Sequence, residues 1–269
     1  MLWDMHMHTH FSGDSDADPE AMVRCSIQKG LPGICFTDHF DYDYPDEPDL
    51  FLLDFNRYRD TVCTLKEKYK SRIEILWGVE LGLQPHIADI NKKTAEDYPF
   101  DFIIGSSHVV HQTDPYYPKF YEGRSEADAY LEYFESILEN LHTEAAFDVY
   151  GHIDYVVRYG PNKNRFYSYE KYADVIDEIL RTLIHMGKGI ELNTAGFRYG
   201  LGHPNPAEPV LARYRELGGE LITVGSDAHV PEHIASDFAA AEHLLRTAGF
   251  SGHTVFRGRK PCFQPLDSR

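Results

Sequence analysis

Short apolar runs alternating with longer amphipathic stretches constrain this chain more than any other feature. Seven such runs occur, at 2–8, 33–37, 73–80, 102–107, 147–153, 189–193 and 221–226. Their lengths and their β-branched and aromatic content predict strands. Stretches near 19–29, 55–70, 86–96, 125–144, 168–186, 206–217 and 233–248 read as helices. Asp18 is placed to cap a helix that opens Pro19-Glu20, and Gly30, Gly187 and Gly218 each follow a helical stretch. Strand then helix, repeated seven times, predicts an α/β fold with parallel strands. A length of 269 residues suits one β/α barrel over residues 1–269. Periodicity alone does not distinguish an open sheet from a closed one.

Histidines fall unevenly on this frame. Of the 15, His142, His185 and His243 lie on helical stretches and read as solvated surface. Others lie at the C-terminal ends of strands, where β/α folds carry their active sites. The first run contains Asp4-Met-His6-Met-His8, and alternation puts Asp4, His6 and His8 on one face. Asp14 follows in the next loop. Later runs end in Thr37-Asp38-His39, Gly78-Val79-Glu80, Ser106-Ser107-His108, Gly151-His152-Ile153-Asp154 and Ser226-Asp227-Ala228-His229. One polar group at a strand end is commonplace. Burying the whole set without partners is costly, and metal ions remove that cost because neutral imidazole and carboxylate are their ordinary ligands.

The strongest donors are His6, His8, Asp14, His39, Glu80, His108, His152, Asp227 and His229. A zinc-like ion takes three or four protein ligands, so this set suits two or three divalent ions with a shared carboxylate. Metals about 3.5–4 Å apart are a device for phosphoester hydrolysis, polarising the phosphoryl oxygens and activating the attacking water. Glu80, Asp227 and His229 are expected to act catalytically through such ions. The formal charge of −17 argues against nucleic acid or an anionic membrane as partner. It leaves a small phosphate substrate dependent on local positive charge. Four cysteines without a CxxC spacing argue against a cysteine zinc site and fit a reducing cytoplasm. The N-terminus lacks signal-peptide character, and no apolar run reaches about 18 residues.

Taken in order, Asp4-Met-His6-Met-His8-Thr-His10, Thr37-Asp38-His39, Gly78-Val79-Glu80, Ser107-His108, Gly151-His152 and Ser226-Asp227-Ala228-His229 resemble the motifs of the polymerase and histidinol phosphatase (PHP) family. The resemblance spans positions 4 to 229. It implies a distorted, TIM-like (β/α)7 barrel with outer helices and a trinuclear centre of Zn, Fe or Mn. On this likeness His6, His8, Glu80 and Asp227 hold one ion, Glu80, His108 and His152 a second, and Asp14, His39 and His229 a third. Some family members carry histidine where Asp14 stands, and oxygen remains a competent ligand there. The segments Ser106–His111, Gly151–Arg158 and Glu191–Arg198 are similar to the stand-alone histidinol-phosphate phosphatases, which remove phosphate from L-histidinol phosphate in histidine biosynthesis.

Arg158 and Arg198 follow strand ends and are placed to bind phosphate oxygens. The aromatic loop 114–121 offers rings for an imidazole substrate. His10, His111 and His203 are candidate proton donors, each with a plainer reading as a satisfied histidine. Asp38 and Asp154 are candidates to orient ligands. Alternatives stay open: a nucleotide phosphoesterase or nuclease with the same cluster, an amidohydrolase-type deaminase, or a metal-binding module without activity. The acidic charge opposes a nucleic-acid track. The absence of an evident lysine bridge on the fourth strand opposes the deaminase, and the full set of competent donors opposes a dead site.

Overall fold

The computed structural model describes residues 1–144 and 146–266. Its strands are β1 (Gly33–Phe36), β2 (His39–Phe40), β3 (Glu74–Gly82), β4 (Phe102–Ser106), β5 (Val149–Tyr150), β6 (Gly189–Asn193), β7 (Ile222–Gly225), β8 (Gly252–Arg257) and β9 (Lys260–Pro265). The helices are α1 (Pro19–Gln28), α2 (Phe55–Tyr69), α3 (Ala88–Asp97), α4 (Glu126–Leu141), α5 (Ala173–His185), α6 (Ala195–Arg198), α7 (Glu208–Glu216) and α8 (Phe238–Thr247). Among the described residues no helix is long and apolar enough to cross a membrane.

The sheet runs β1-β3-β4-β5-β6-β7, with β2 also beside β3, and every pairing in it is parallel. The predicted first strand, 2–8, forms no continuous ladder. It lies between the two edges of the sheet. Cys35 N donates to Asp4 O and Thr37 N to Met7 O on one side; Met5 N donates to Val224 O and His8 N to Ala228 O on the other. Residues 2–8 therefore close the curled sheet into the expected distorted barrel. Asp4 serves the closure rather than the site: its carboxylate accepts from Ser226 N, Ser226 Oγ and Ala235 N.

Local chemistry accounts for the element ends. Asp18 and Ser125 cap α1 and α4 through Ala21 N and Asp128 N. The last helix starts at Phe238 rather than 233, because Pro231–His233 forms a 3-10 turn and Ala235 and Asp237 adopt positive φ. The fifth strand shrinks to Val149–Tyr150 as the chain leaves the ladder to present His152. Inside the barrel Trp3, Met5, Cys35, Leu76, Phe102, Ile104 and Val149 form one apolar cluster with Val255 and Phe256 of β8. Leu76 and Glu80 lie four residues apart on β3 and share a face, so the interior is apolar at one end and donor-bearing at the other. In the C-terminal segment 253–269, Thr254-Val255-Phe256 adds no strand to the parallel sheet: β8 pairs antiparallel with β9 and plugs the apolar end. Residues 267–269 of that segment lie outside the described residues.

His253 on β8 provides a pH test of this plug. It is 1% exposed, and its Nε2 accepts from Trp3 N. Burial, with a smaller contribution from the N-terminal charge, pushes its pKa down to about 4. Between pH 6.5 and about 4 the unfolded chain takes a proton that the folded chain refuses, so stability falls as pH falls through that window. The expected loss is about 3 kcal/mol. Urea unfolding should show a flatter pH profile for His253→Gln, which keeps an acceptor but does not titrate; parallel profiles would exclude His253 as the cause.

Candidate metal centre

Alternation along β3 turns Glu80 into the barrel, and the neighbouring strand ends bring imidazoles to both of its oxygens. Oε2 lies 3.1 Å from His6 Nε2, 3.5 Å from His8 Nε2 and 3.2 Å from His39 Nδ1. Oε1 lies 3.0 Å from His152 Nε2 and 3.3 Å from His108 Nε2. Asp227 Oδ1 joins the first set, 3.4 Å from His8 Nε2 and 3.8 Å from His6 Nε2. Asp14 Oδ2 lies 3.1 Å from His229 Nε2 and 3.7 Å from His39 Nε2. All nine donors singled out in the sequence thus meet at one end of the barrel. Asp14 is exposed at the mouth; His6, His8 and Glu80 are buried at the floor.

The electrostatics demand positive charge. Burial opposes ionisation of Glu80, but His6, His108 and His39 outweigh it and hold the carboxyl well below its usual range. Asp227 behaves likewise against burial, through His6, His8 and Arg158. Burial opposes charge on His39 too, yet Glu80 and Asp14 raise it to about 9. Burial and the neighbouring His229 and His39 lower His8 to about 3, leaving it neutral. Divalent cations meet the same demand by displacing imidazole protons and binding the freed nitrogens.

Hydrogen bonds aim these nitrogens. His8 Nδ1 donates to Ser12 Oγ at 3.1 Å, and Ser12 Oγ donates to Asp38 at 2.8 Å. His6 Nδ1 donates to Glu191 at 2.6 Å. Both Nε2 atoms then face one another at 3.0 Å. Two neutral imidazoles that both carry their proton on Nδ1 cannot share that contact by hydrogen bonding, since two lone pairs then meet. Two nitrogens about 2.0–2.1 Å from one tetrahedral ion lie about 3.3 Å apart, so the donors fit a divalent cation.

Several supporting residues were not legible in the sequence. Asp41 accepts from His108 Nδ1 at 2.7 Å and lies 3.4 Å from His39 Nδ1. Ser106 donates to Glu80 at 2.6 Å. His233 and Asp114 line the pocket. Ser106 and Asp114 stand in segments quoted above that gave them no role, and no motif announces Asp41 or His233, which look like ordinary buried or loop polar groups. The Asp38 carboxylate reaches His8 through Ser12, whereas Asp154 meets Asn205 and Ala207 N and touches no donor of the cluster.

The three proton-donor candidates fall elsewhere. His10 is exposed and stacked on Phe11. His111 bridges Glu132 and Glu139 on the outside. His203 is buried with Nδ1 on Pro204 O. None of the three lines the pocket.

The arginines sit beside Asp227. Arg158 is 3% exposed and donates through Nη1 to Asp227 Oδ2, Nε to Asn205 and Nη2 to Asn193. Arg198 donates to Ser226 O and Asp227 O. These bonds hold Asp227 at a φ of 53°, in the left-handed region. The cavity above measures about 640 Å³ and has Tyr116, Tyr117, Tyr155, Tyr159 and Tyr199 in its walls beside both arginines.

Imidazoles and carboxylates gathered at the C-terminal mouth of a parallel β/α barrel, beneath an arginine- and tyrosine-walled cavity, define a metal-dependent hydrolase. The PHP domain model matches residues 4–195, and the chain belongs to that family. A histidinol-phosphatase of Lactococcus lactis subsp. lactis is 31% identical over 96% of this chain and 95% of its own length. A probable histidinol-phosphatase of Clostridium acetobutylicum is 34% identical over 90% of this chain and 91% of its own. The crystal structure of histidinol phosphate phosphatase from Lactococcus lactis, complexed with zinc, L-histidinol and phosphate, matches at a TM-score of 0.91 and 30% identity, covering 97% of this chain and 98% of that one.

Proposed function

We propose that this protein hydrolyses L-histidinol phosphate to L-histidinol and phosphate, using two or three divalent ions drawn from Zn, Fe and Mn. The observation that carries the reading is the convergence of five imidazoles on the two oxygens of Glu80, with Asp14, Asp227 and His229 beside them, beneath a cavity with a cationic and an aromatic wall. His6, His8, Glu80 and Asp227 would hold one ion, Glu80, His108 and His152 another, and Asp14, His39 and His229 a third. Ions there would supply Lewis acidity toward the phosphoryl oxygens and lower the pKa of water. Glu80, Asp227 and His229 contribute by holding them.

The chain's own groups do the rest. Arg158 keeps two of its five N–H donors beyond the three bonds described, and these, with those of Arg198, would meet phosphate oxygens. The tyrosine wall would pack the substrate imidazole. Asp114, buried and held by Tyr44 Oη and Tyr116 N, places a carboxylate on that wall for the substrate ammonium. Residues 1–269 would form one catalytic unit. A cytoplasmic place in histidine biosynthesis belongs to the same reading, and the four unpaired cysteines support a reducing compartment.

The test follows phosphate release by the zinc-, iron- or manganese-loaded protein from histidinol phosphate, nucleotides and p-nitrophenyl phosphate. The expected preference for histidinol phosphate is at least about 10²-fold in kcat/KM. Equal rates on the generic ester would remove the substrate assignment, and faster release from nucleotides would favour the nucleotide alternative.

A further inference from the structure

Within the parallel sheet, β6 is the strand whose end contributes no donor to the cluster, yet it carries a buried acid. Glu191 is 1% exposed. Its Oε1 lies 2.6 Å from His6 Nδ1. Its Oε2 accepts from the backbone N of His152 at 3.1 Å and from Asn193 Nδ2 at 3.0 Å. Asn193 Nδ2 also lies 3.3 Å from Asp227 Oδ2, while its Oδ1 accepts from Arg158 Nη2. One carboxylate thereby joins donor-bearing segments from opposite sides of the barrel.

All three partners of Glu191 are donors. A carboxylate accepts through both oxygens, whereas a glutamine must turn its NH2 toward either His6 Nδ1–H or the His152 N–H. The opposite tautomer of His6 would set an Nδ1 lone pair against the carboxylate. Gly225 permits the contact: a Cβ there would overlap both His6 Cβ and Glu191 Oε1.

We propose that Glu191 is the positioning residue of the metal centre, fixing the His6 proton on Nδ1 so that the Nε2 lone pair faces Glu80, His8 and Asp227. The inference rests on reading the cluster as a metal site. Glu191 acts through His6 and through the His152 backbone, and it does not itself reach the cavity.

The test titrates metal-free protein with Zn²⁺ against a chromophoric chelator. Glu191→Gln should weaken one equivalent about 10–100-fold, leave the remaining equivalents near wild type, and preserve the far-ultraviolet circular dichroism. Unchanged zinc affinity in the variant, with or without a drop in Tm, would overturn the proposal. Wild-type protein that takes up no zinc would instead overturn the metal reading beneath it. Long-range ¹H–¹⁵N spectra of zinc-loaded wild type need no variant: His6 is expected with its proton on Nδ1, and a proton on Nε2 would also refute the role of Glu191.

Discussion

Glu80→Gln is expected to lower kcat/KM on the order of 10³-fold or more, the scale of the several kcal/mol that bound cations supply to such reactions. Each oxygen of Glu80 faces a separate group of imidazoles: His6, His8 and His39 on Oε2, His108 and His152 on Oε1. Glutamine keeps the shape but turns an NH2 toward one of those groups. Nitrogens that should bind a cation then meet a donor and lose the shared negative charge. Metal analysis of the purified variant should show fewer ions per chain alongside the rate loss, with circular dichroism unchanged. A variant with wild-type metal content and wild-type turnover would show that Glu80 is not the bridge.

Arg158→Met should act first on stability. The guanidinium satisfies Asp227, Asn193 and Asn205 together, out of contact with bulk water. Methionine fills part of the volume but leaves the buried Asn205 Oδ1 without its donor and strips the Asp227 carboxylate of its cation, with Asn193 Nδ2 at 3.3 Å still beside it, while Asn193 Oδ1 keeps Ala195 N. Breaking a buried pair from one side typically costs about 3–5 kcal/mol, or roughly 10 °C in Tm for a chain of this size. The measurement belongs in chelator, so that metal cannot compensate the freed Asp227. A loss below about 1 kcal/mol would mean that relaxation or water replaces the guanidinium.

These two residues mark how far the sequence could be read. Glu80 was visible because strand alternation and a position at a strand end both pointed to it. The same logic located His39, His108 and His152, whose neighbours in space come from distant segments but obey one rule of direction. Arg158 was visible as a cation near the site, whereas its deep burial against Asp227 was not, since that depends on Asn193 and Asn205 arriving from β6 and the loop beyond. Glu191 lay in plain view within Glu191-Leu-Asn193, but a buried acid on a strand has no period of its own. The two readings left open for three other histidines have a similar cause. His10, His111 and His203 stand in loops, where position along the chain does not say which side of the loop a ring takes. His233 reaches the cavity from a 3-10 turn that was read as the start of a helix.

In vectorial synthesis the segment 2–8 completes its hydrogen bonding only with Val224 and Ala228, made more than 200 residues after it. A nascent chain that ends before β7 lacks Asp227 and leaves His6 without its wall. Closing so long a loop adds only logarithmically to the entropy of folding, yet such distant pairing slows the search for the native arrangement. On the proposed metal reading, the donor set is complete only once Asp227 and His229 have been made, and a shorter nascent chain offers loose histidines rather than a finished trap for whichever cation is most abundant.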